Sequence, residues 1–412
     1  ACPLPRPTTT TARMKSRSSA KNERVFPARH QASVVRALVV VALVVAAVVA
    51  LAQPREDFDL MAYVGVVHRY DARTDGEARE RTLADLGRHL TPERYAWMVG
   101  RDYPDSYARA MASEDRSFGQ QLGWFRGRPL HTRAAWALTK AGLSTPRALH
   151  VVAWLSSLAL SGVLFLATAG VSRPWLRLAS FALVAGAFHL ADLAASPLAD
   201  PLSALLVVGG TLLVLEGGGA GSRLGLGALV VAVFARTDNA MYAASLAAFA
   251  CIMHVFPPSD PTRRVPPLAA SASAACALGL RAWLERDSYG WWALVHFRRV
   301  KFEPYPRDVR PPFSLSTYLG VLRAWALEVY ACEVLALIGL AWLLVDARAR
   351  GELRRQPLVA YGALMVPLSV ARFFAFPDWD SRFFIAPLGL FFLGLAYALD
   401  ARLTQRAAHA IR

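Results

Sequence analysis

Lysine is nearly missing: four of the 46 basic residues are lysine and the rest are arginine. That usage points to a GC-rich, bacterial coding sequence. Cysteine is also scarce. Cys2, Cys251, Cys276 and Cys332 fall at no metal-ligand spacing, which excludes a zinc knuckle and a disulfide framework. The last three lie in or near apolar runs and read as buried small hydrophobes. A continuous basic stripe with interleaved aromatics is absent too. The net charge of +16 therefore does not imply nucleic acid as a partner.

Long apolar runs fill the chain instead, with 55% hydrophobic residues and a mean hydropathy of +0.32. A bilayer-crossing helix needs about 20 apolar residues. Candidate spans cover 33–52, 149–169, 176–193, 202–215, 224–234, 240–256, 268–284, 326–345, 358–371 and 383–399, of which 224–234 is the weakest. Residues 1–32 read as a disordered basic cytoplasmic tail and 401–412 as a second cytoplasmic tail, flanking a membrane domain over 33–400. The sequence begins at Ala1, and Met14 is a second candidate start. Ala50-Leu51-Ala52 before Gln53 also fits a signal-peptidase site, and on either reading the chain beyond Gln53 is translocated.

Placing the N-terminal tail in the cytoplasm and alternating gives five basic inner connections. They carry Arg173/Arg177, Arg223, Arg263/Arg264, Arg348/Arg350/Arg354/Arg355 and Arg402/Arg406/Arg412. The positive-inside rule then predicts a multi-pass protein of the cytoplasmic (inner) membrane with both termini cytoplasmic. The outer connections become 53–147, 194–201, 236–239, 285–323 and 372–382. In the first of these, Thr91-Pro92-Glu93 predicts a helix start, and 133–143 predicts a helix in the interface.

These outer connections repeatedly combine aspartate with arginine, where topology disfavours arginine. Arg55-Glu56-Asp57-Phe58-Asp59 comes directly after the first span, and its acids read either as a solvated flank or as a general base with two mutually tuning carboxylates. Asp200-Pro201 has the form of a helix cap, and His189 reads as structural. Asp238 of Arg236-Thr237-Asp238-Asn239 has the capping alternative as well, but Arg236 does not. Trp291-Trp292 beside Arg298-Arg299 reads as an interface anchor or as an attractor of an anionic lipid head. Arg372 and Arg382 bracket a final connection holding Asp378 and Asp380, a pairing suited to bidentate phosphate binding.

Several short segments resemble the GT-C-fold glycosyltransferases, membrane enzymes that take a sugar from a polyprenyl-phosphate carrier. They are Asp59-x-x-x-Tyr63, Arg128-Pro129-Leu130, Ser196-Pro197-Leu198 with Asp200-Pro201-Leu202, and Arg236-Thr237-Asp238. Asp380-x-Arg382-Phe383 with Pro387 is similar to the family's D-x-R-Y-x-x-P pattern. The resemblance implies an all-α polytopic membrane fold of about ten transmembrane helices with a juxtamembrane first outer loop. It also implies hexosyl or mannosyl transfer to a glycan, lipid or protein acceptor. Asp59, or in second place Asp57, would take the family's catalytic acid, and Arg372 or Arg382 its phosphate-binding arginines. Tyr63, Arg236, Asp238 and Asp380 complete the substrate-binding set. Beyond Asp57/Asp59 no paired acidic motif stands out, which leaves a divalent metal as an open cofactor and assigns no metal ligand. A transporter or lipid flippase, centred on Glu333, and a non-catalytic membrane scaffold are the other readings.

Overall fold

The computed structural model describes Ala37, Val39, Val41, Val44, Val45 and residues 48–101, 107–187, 190–255, 265–326, 331–378 and 380–410. Most of the first span, the N-terminal tail and His189 lie outside the described residues. The described part is all-α, 81% helix and without strands.

The first long loop is built from α1 (Asp59–Arg69), α2 (Asp75–His89), α3 (Pro92–Met98), α4 (Tyr107–Ser113), α5 (Asp115–Gln121) and α6 (Pro129–Lys140). Next come α7 (Thr145–Ala167), α8 (Pro174–Ala187), α9 (Leu190–Ala195), α10 (Asp200–Glu216), α11 (Gly218–Ala235), α12 (Ala240–Val255) and α13 (Pro267–Leu284). The second long loop holds α14 (Trp291–Arg299) and α15 (Leu315–Ala326). The chain then runs through α16 (Ala331–Val345), α17 (Ala347–Arg355), α18 (Pro357–Ala375) and α19 (Ile385–Ala410).

Four described helices are long and apolar enough to cross a membrane: Thr145–Gly170, Gly218–Ala235, Pro357–Ala375 and Ile385–Ala410. A fifth crossing forms if Leu315–Ala326 and Ala331–Val345, bent by 85°, count as one. The chain is a multi-pass membrane protein. Large apolar side chains left bare on the helices, such as Leu268 at 86% exposure, have lipid rather than water as their natural solvent. Other runs lie in described helices of fewer than 18 residues. The 17 residues of α10, which cover the expected run 202–215, and the 16 described residues of α12 extend about 24–26 Å, and the described residues of the run at 176–193 belong to α8 and α9. The weakest candidate, 224–234, is part of the full 18-residue α11.

Small residues allow the helices to close on one another, as is usual where lipid removes the hydrophobic drive between helices. A Cβ on Gly362 of α18 would meet the Leu390 carbonyl oxygen at 2.8 Å, and one on Gly394 of α19 would meet the Leu358 oxygen at 3.0 Å. Gly362→Leu is expected to destabilise by about 1–3 kcal/mol through overpacking against backbone that cannot yield. Thermal unfolding in detergent reads this directly, and an unchanged transition would show that α18 and α19 can separate freely.

Helix starts obey local chemistry. Thr91 Oγ1 accepts from the Arg94 N–H at 3.3 Å with Pro92 in the first turn, as the sequence predicts. The helix expected at 133–143 runs from Pro129 to Lys140 and buries His131, Thr132 and Ala135. Two expectations are corrected. Cys251 and Cys276 are exposed on the helix surface, because an apolar thiol facing lipid needs no protein cover; of the three described cysteines only Cys332 is buried. Asp200 does not cap α10: Ala199 occupies the flanking position, and the Asp200 carboxylate turns to an arginine instead.

The connections assigned to one side by charge gather at one end of the molecule. Arg55 N–H donates to the Ala195 carbonyl at 2.9 Å, and His131 Nε2 lies 3.0 Å from the Pro197 carbonyl. Loop 53–147 interlocks with loop 285–323. Ser117 Oγ donates to the Pro304 carbonyl and Gln121 to the Glu303 carbonyl, each at 2.7 Å. Tyr107 stacks on Phe302 at 5.0 Å, and Trp124 on Phe297 at 5.2 Å. Connections of the opposite class meet at the other end, where Arg173 pairs with Asp400 and Arg402 with Asp346, both at 2.8 Å.

Candidate functional site

At the first end, charged side chains converge from five stretches of chain. α11 ends at Ala235, and Arg236 then adopts an extended backbone that throws its side chain inward. The turn Thr237–Asn239 comes next, held by the Asn239 amide, which donates to the Ala232 carbonyl and to Ser203 Oγ, each at 2.8 Å. Asn239 thus satisfies an orphan carbonyl at the end of α11 and ties it to α10.

Arg236 pairs with Asp200 and, at 3.0 Å, with Asp238. Arg372, in the last turn of α18, reaches Asp238 at 3.3 Å. A second chain of pairs begins at Asp59, 3.6 Å from Arg382. Arg382 continues to Asp380 at 2.8 Å; Asp380 lies 3.6 Å from Arg298; and Arg298 and Arg299 both hold the fully buried Asp378.

The two chains meet across Phe383. Its ring has the guanidinium carbons of Arg236 and Arg372 at 4.7 Å, Arg382 at 5.0 Å and Arg298 at 5.7 Å. An electron-rich face is one of the few apolar surfaces on which guanidinium groups gather favourably. Beside the ring is a small, partly open cleft lined by Asp200, Ser203, Arg236, Asp238, Asn239, Tyr242, Arg382 and Phe383. Among the described residues, Arg372 Nη1 is buried with no hydrogen-bond acceptor.

Six of the eight residues selected from the sequence for the transferase site fall in these ion-pair chains, and Tyr63 and Asp57 lie next to them on or before α1. Asp59, Arg236, Asp238, Arg372, Asp380 and Arg382 are in the ion-pair chains. Tyr63 is fully buried one turn along α1 from Asp59, and its hydroxyl accepts from the Arg128 guanidinium. Asp57 is half-buried, with its Oδ1 closed off from solvent and without a hydrogen-bond partner. Burial, then repulsion from Asp59, pushes Asp57 up to about 7 against the pull of Arg382. Burial alone would also raise Asp238, but Arg236 and Arg372 hold it well below the usual carboxylate range. His131, packed edge-on against Tyr63 at 5.2 Å, is pushed down to about 4 by burial and is neutral at pH 7.

The raised Asp57 makes stability pH-dependent with a definite sign. The folded state binds this proton more tightly than the unfolded chain, so stability falls as pH rises from about 4 to about 7 and is flat above. Asp57→Asn is expected to remove that decline, matching the parent at pH 4 and exceeding it at pH 8. Unfolding midpoints across that range test it, and parallel curves for the two proteins would contradict it.

The site contains members not assigned to it from the sequence. Asp200 had the form of a cap, and Asp378 stood with Asp380 as an acid able to hold the arginines or contact sugar hydroxyls. Arg298 and Arg299 read as headgroup attractors and Phe383 as part of a motif, while Asn239 had no reading of its own. An arginine opposite each acid was the available signal, but nothing local pairs residues 36 or 134 positions apart. No three His, Cys, Asp or Glu side chains among the described residues converge to hold a metal ion. These carboxylates are matched with guanidinium groups instead.

What this arrangement can do is bind and stabilise a compact anion beside an ionisable carboxylate. No protein-family model, curated protein or solved structure matches the chain, so the geometry carries the functional reading by itself.

Proposed function

We propose that the chain is a GT-C-like glycosyltransferase of about ten spans at the outer face of the cytoplasmic membrane, with both termini in the cytoplasm. It moves a sugar from a polyprenyl-phosphate carrier to a glycan, lipid or protein acceptor. The observation that carries this reading is the gathering of Arg236, Arg372 and Arg382 on Phe383 with Asp59 3.6 Å from Arg382. Glycosyl transfer needs a base for the acceptor hydroxyl and positive charge for the leaving phosphate, and here the two stand side by side.

In the reaction, the acceptor oxygen bonds to the anomeric carbon as the carbon–oxygen bond to phosphate breaks. Asp59 takes the hydroxyl proton, and the polyprenyl phosphate leaves with the bonding pair. Arg372 and Arg382 neutralise the departing oxygens, for which Arg372 Nη1 has a donor to spare. Arg236 and Asp238 line the cleft and orient sugar or acceptor. Tyr63 anchors α1, and Asp380 holds Arg382 in register.

The test is Asp59→Asn, expressed at the parent's level in the source organism, with surface glycans as the readout. Unchanged product would end the assignment. A transporter or flippase reading draws on Glu333, buried in the first turn of α16 and accepting from Cys332 Sγ at 2.9 Å. It wins if Glu333→Gln abolishes lipid flipping or solute uptake while Asp59→Asn does not. If the chain is a scaffold, substitution of either acid alters folding alone.

A further inference from the structure

The stretch between α13 and α16 contains two described helices, each too short to cross a bilayer by itself. At about 1.5 Å per residue, the 9 residues of α14 extend about 13 Å and the 12 of α15 about 18 Å, against a hydrocarbon core of about 30 Å. The axis of α15 also bends 85° from that of α16. Yet the pair is apolar on one face. Trp291 is 46% exposed, Phe313 56%, Leu315 60% and Leu319 53%.

These residues form one patch. Trp291 is 6.2 Å from Phe313 and 5.7 Å from Tyr318, and Trp292 is 5.1 Å from Phe313. Polar groups on the patch are satisfied inward. The Trp291 indole donates to the Ala375 carbonyl, the Trp292 indole to the Pro312 carbonyl at 3.0 Å, and the Tyr318 hydroxyl to the Phe374 carbonyl. Outward, the patch presents ring and aliphatic surface. It is continuous with exposed Phe374 on the membrane-crossing α18, while Arg307 and Arg310 are exposed on the linker between the two helices.

We propose that α14 and α15 form an in-plane platform, seated in the bilayer leaflet at the ion-pair end of the molecule, with Trp291, Phe313, Leu315 and Leu319 among phospholipid acyl chains. The occupant is lipid because the patch continues the surface of a bilayer-crossing helix at one end and leads into α16 at the other. Half-sunk helices of this kind place aromatic rings at the apolar boundary and charge at the headgroups. The far end of α14 carries Arg298, which holds Asp378 at 2.9 Å beside Phe383. Trp291 and Arg298 are seven residues apart on one helix, about 10 Å. An amphiphile lying along α14 therefore spans from acyl-chain contact to the charged site without leaving the leaflet. The platform does not depend on the transferase reading.

The experiment is tryptophan fluorescence of the full chain in nanodiscs of phosphatidylcholine, with and without bromine on the acyl chains, and separately with aqueous iodide. Among the described residues, Trp175 and Trp283 are the other strongly exposed indoles. The Trp291→Phe/Trp292→Phe variant is expected to lose a measurable part of the bromolipid-quenchable signal, with the remainder from the other lipid-facing indoles. Trp124→Phe, a ring packed between the two outer loops, is expected to lose none. If the double variant is poorly folded, Leu319→Trp supplies a gain of bromolipid-quenchable signal in the parent background. The proposal is overturned if the double variant leaves the bromolipid-quenchable signal unchanged. It is equally overturned if the signal of Trp291, of Trp292 or of the indole introduced by Leu319→Trp answers only to iodide, which would mean water, or to neither quencher, which would mean a protein cover.

Discussion

Arg236→Met is expected to destabilise the protein by about 3–5 kcal/mol, a loss few single substitutions reach. Arg236 is 13% exposed and its partner Asp200 only 3%. Removing the guanidinium leaves Asp200 buried without its cation and takes one of two arginines from Asp238. The cost is that of stranding a desolvated charge, which exceeds the net worth of the intact pair. That distinction is testable. Asp200→Leu/Arg236→Met removes both partners and is expected to recover most of the loss, because no isolated charge remains. Unfolding of the parent, both single variants and the double variant in one detergent completes the cycle. Equal transitions for Arg236→Met and the parent would mean that Asp200 is hydrated or neutral, and the ion-pair architecture of the site would be abandoned.

On the proposed transferase function, Asp59→Asn is expected to lower the rate of glycan formation by about 10²–10⁴-fold, the usual contribution of a positioned general base, while leaving the unfolding transition close to that of the parent. Asp59 is a quarter exposed at the start of α1, and Arg382 keeps Asp380 as a partner when Asp59 is neutralised. A large kinetic effect with a small stability effect separates a reacting carboxylate from a structural one. Asp59→Glu keeps the charge but moves it by one methylene, and is expected to retain more activity than Asp59→Asn. A parallel fall in stability and product for both variants would assign Asp59 to folding. Because Asp57 sits at about 7, its ionisation changes the field at Asp59 near neutral pH. The activity of the parent is therefore expected to vary with pH across that range, and Asp57→Asn to flatten it.

Much of this fold was legible along the chain. Lengths of apolar runs mark the helices, since a bilayer sets a minimum length for each crossing. Thr91-Pro92 announces a helix start because the cap and the missing N–H act within one turn. The candidate residues were legible as an excess: arginine beside aspartate in connections where arginine is disfavoured.

By itself, then, the sequence determined which segments suit lipid and which end of the helices carries mixed charge. Both come from the local cost of placing a group in hydrocarbon. Only the tertiary structure decided that Asp200 answers Arg236 instead of capping its own helix, and that Arg372 reaches across 134 positions to Asp238. It alone placed four guanidinium groups around Phe383 and locked loop 53–147 against loop 285–323. A buried charge takes whichever partner the packing of distant helices brings within reach. That choice is made by geometry in three dimensions, where neighbours in space are strangers in sequence.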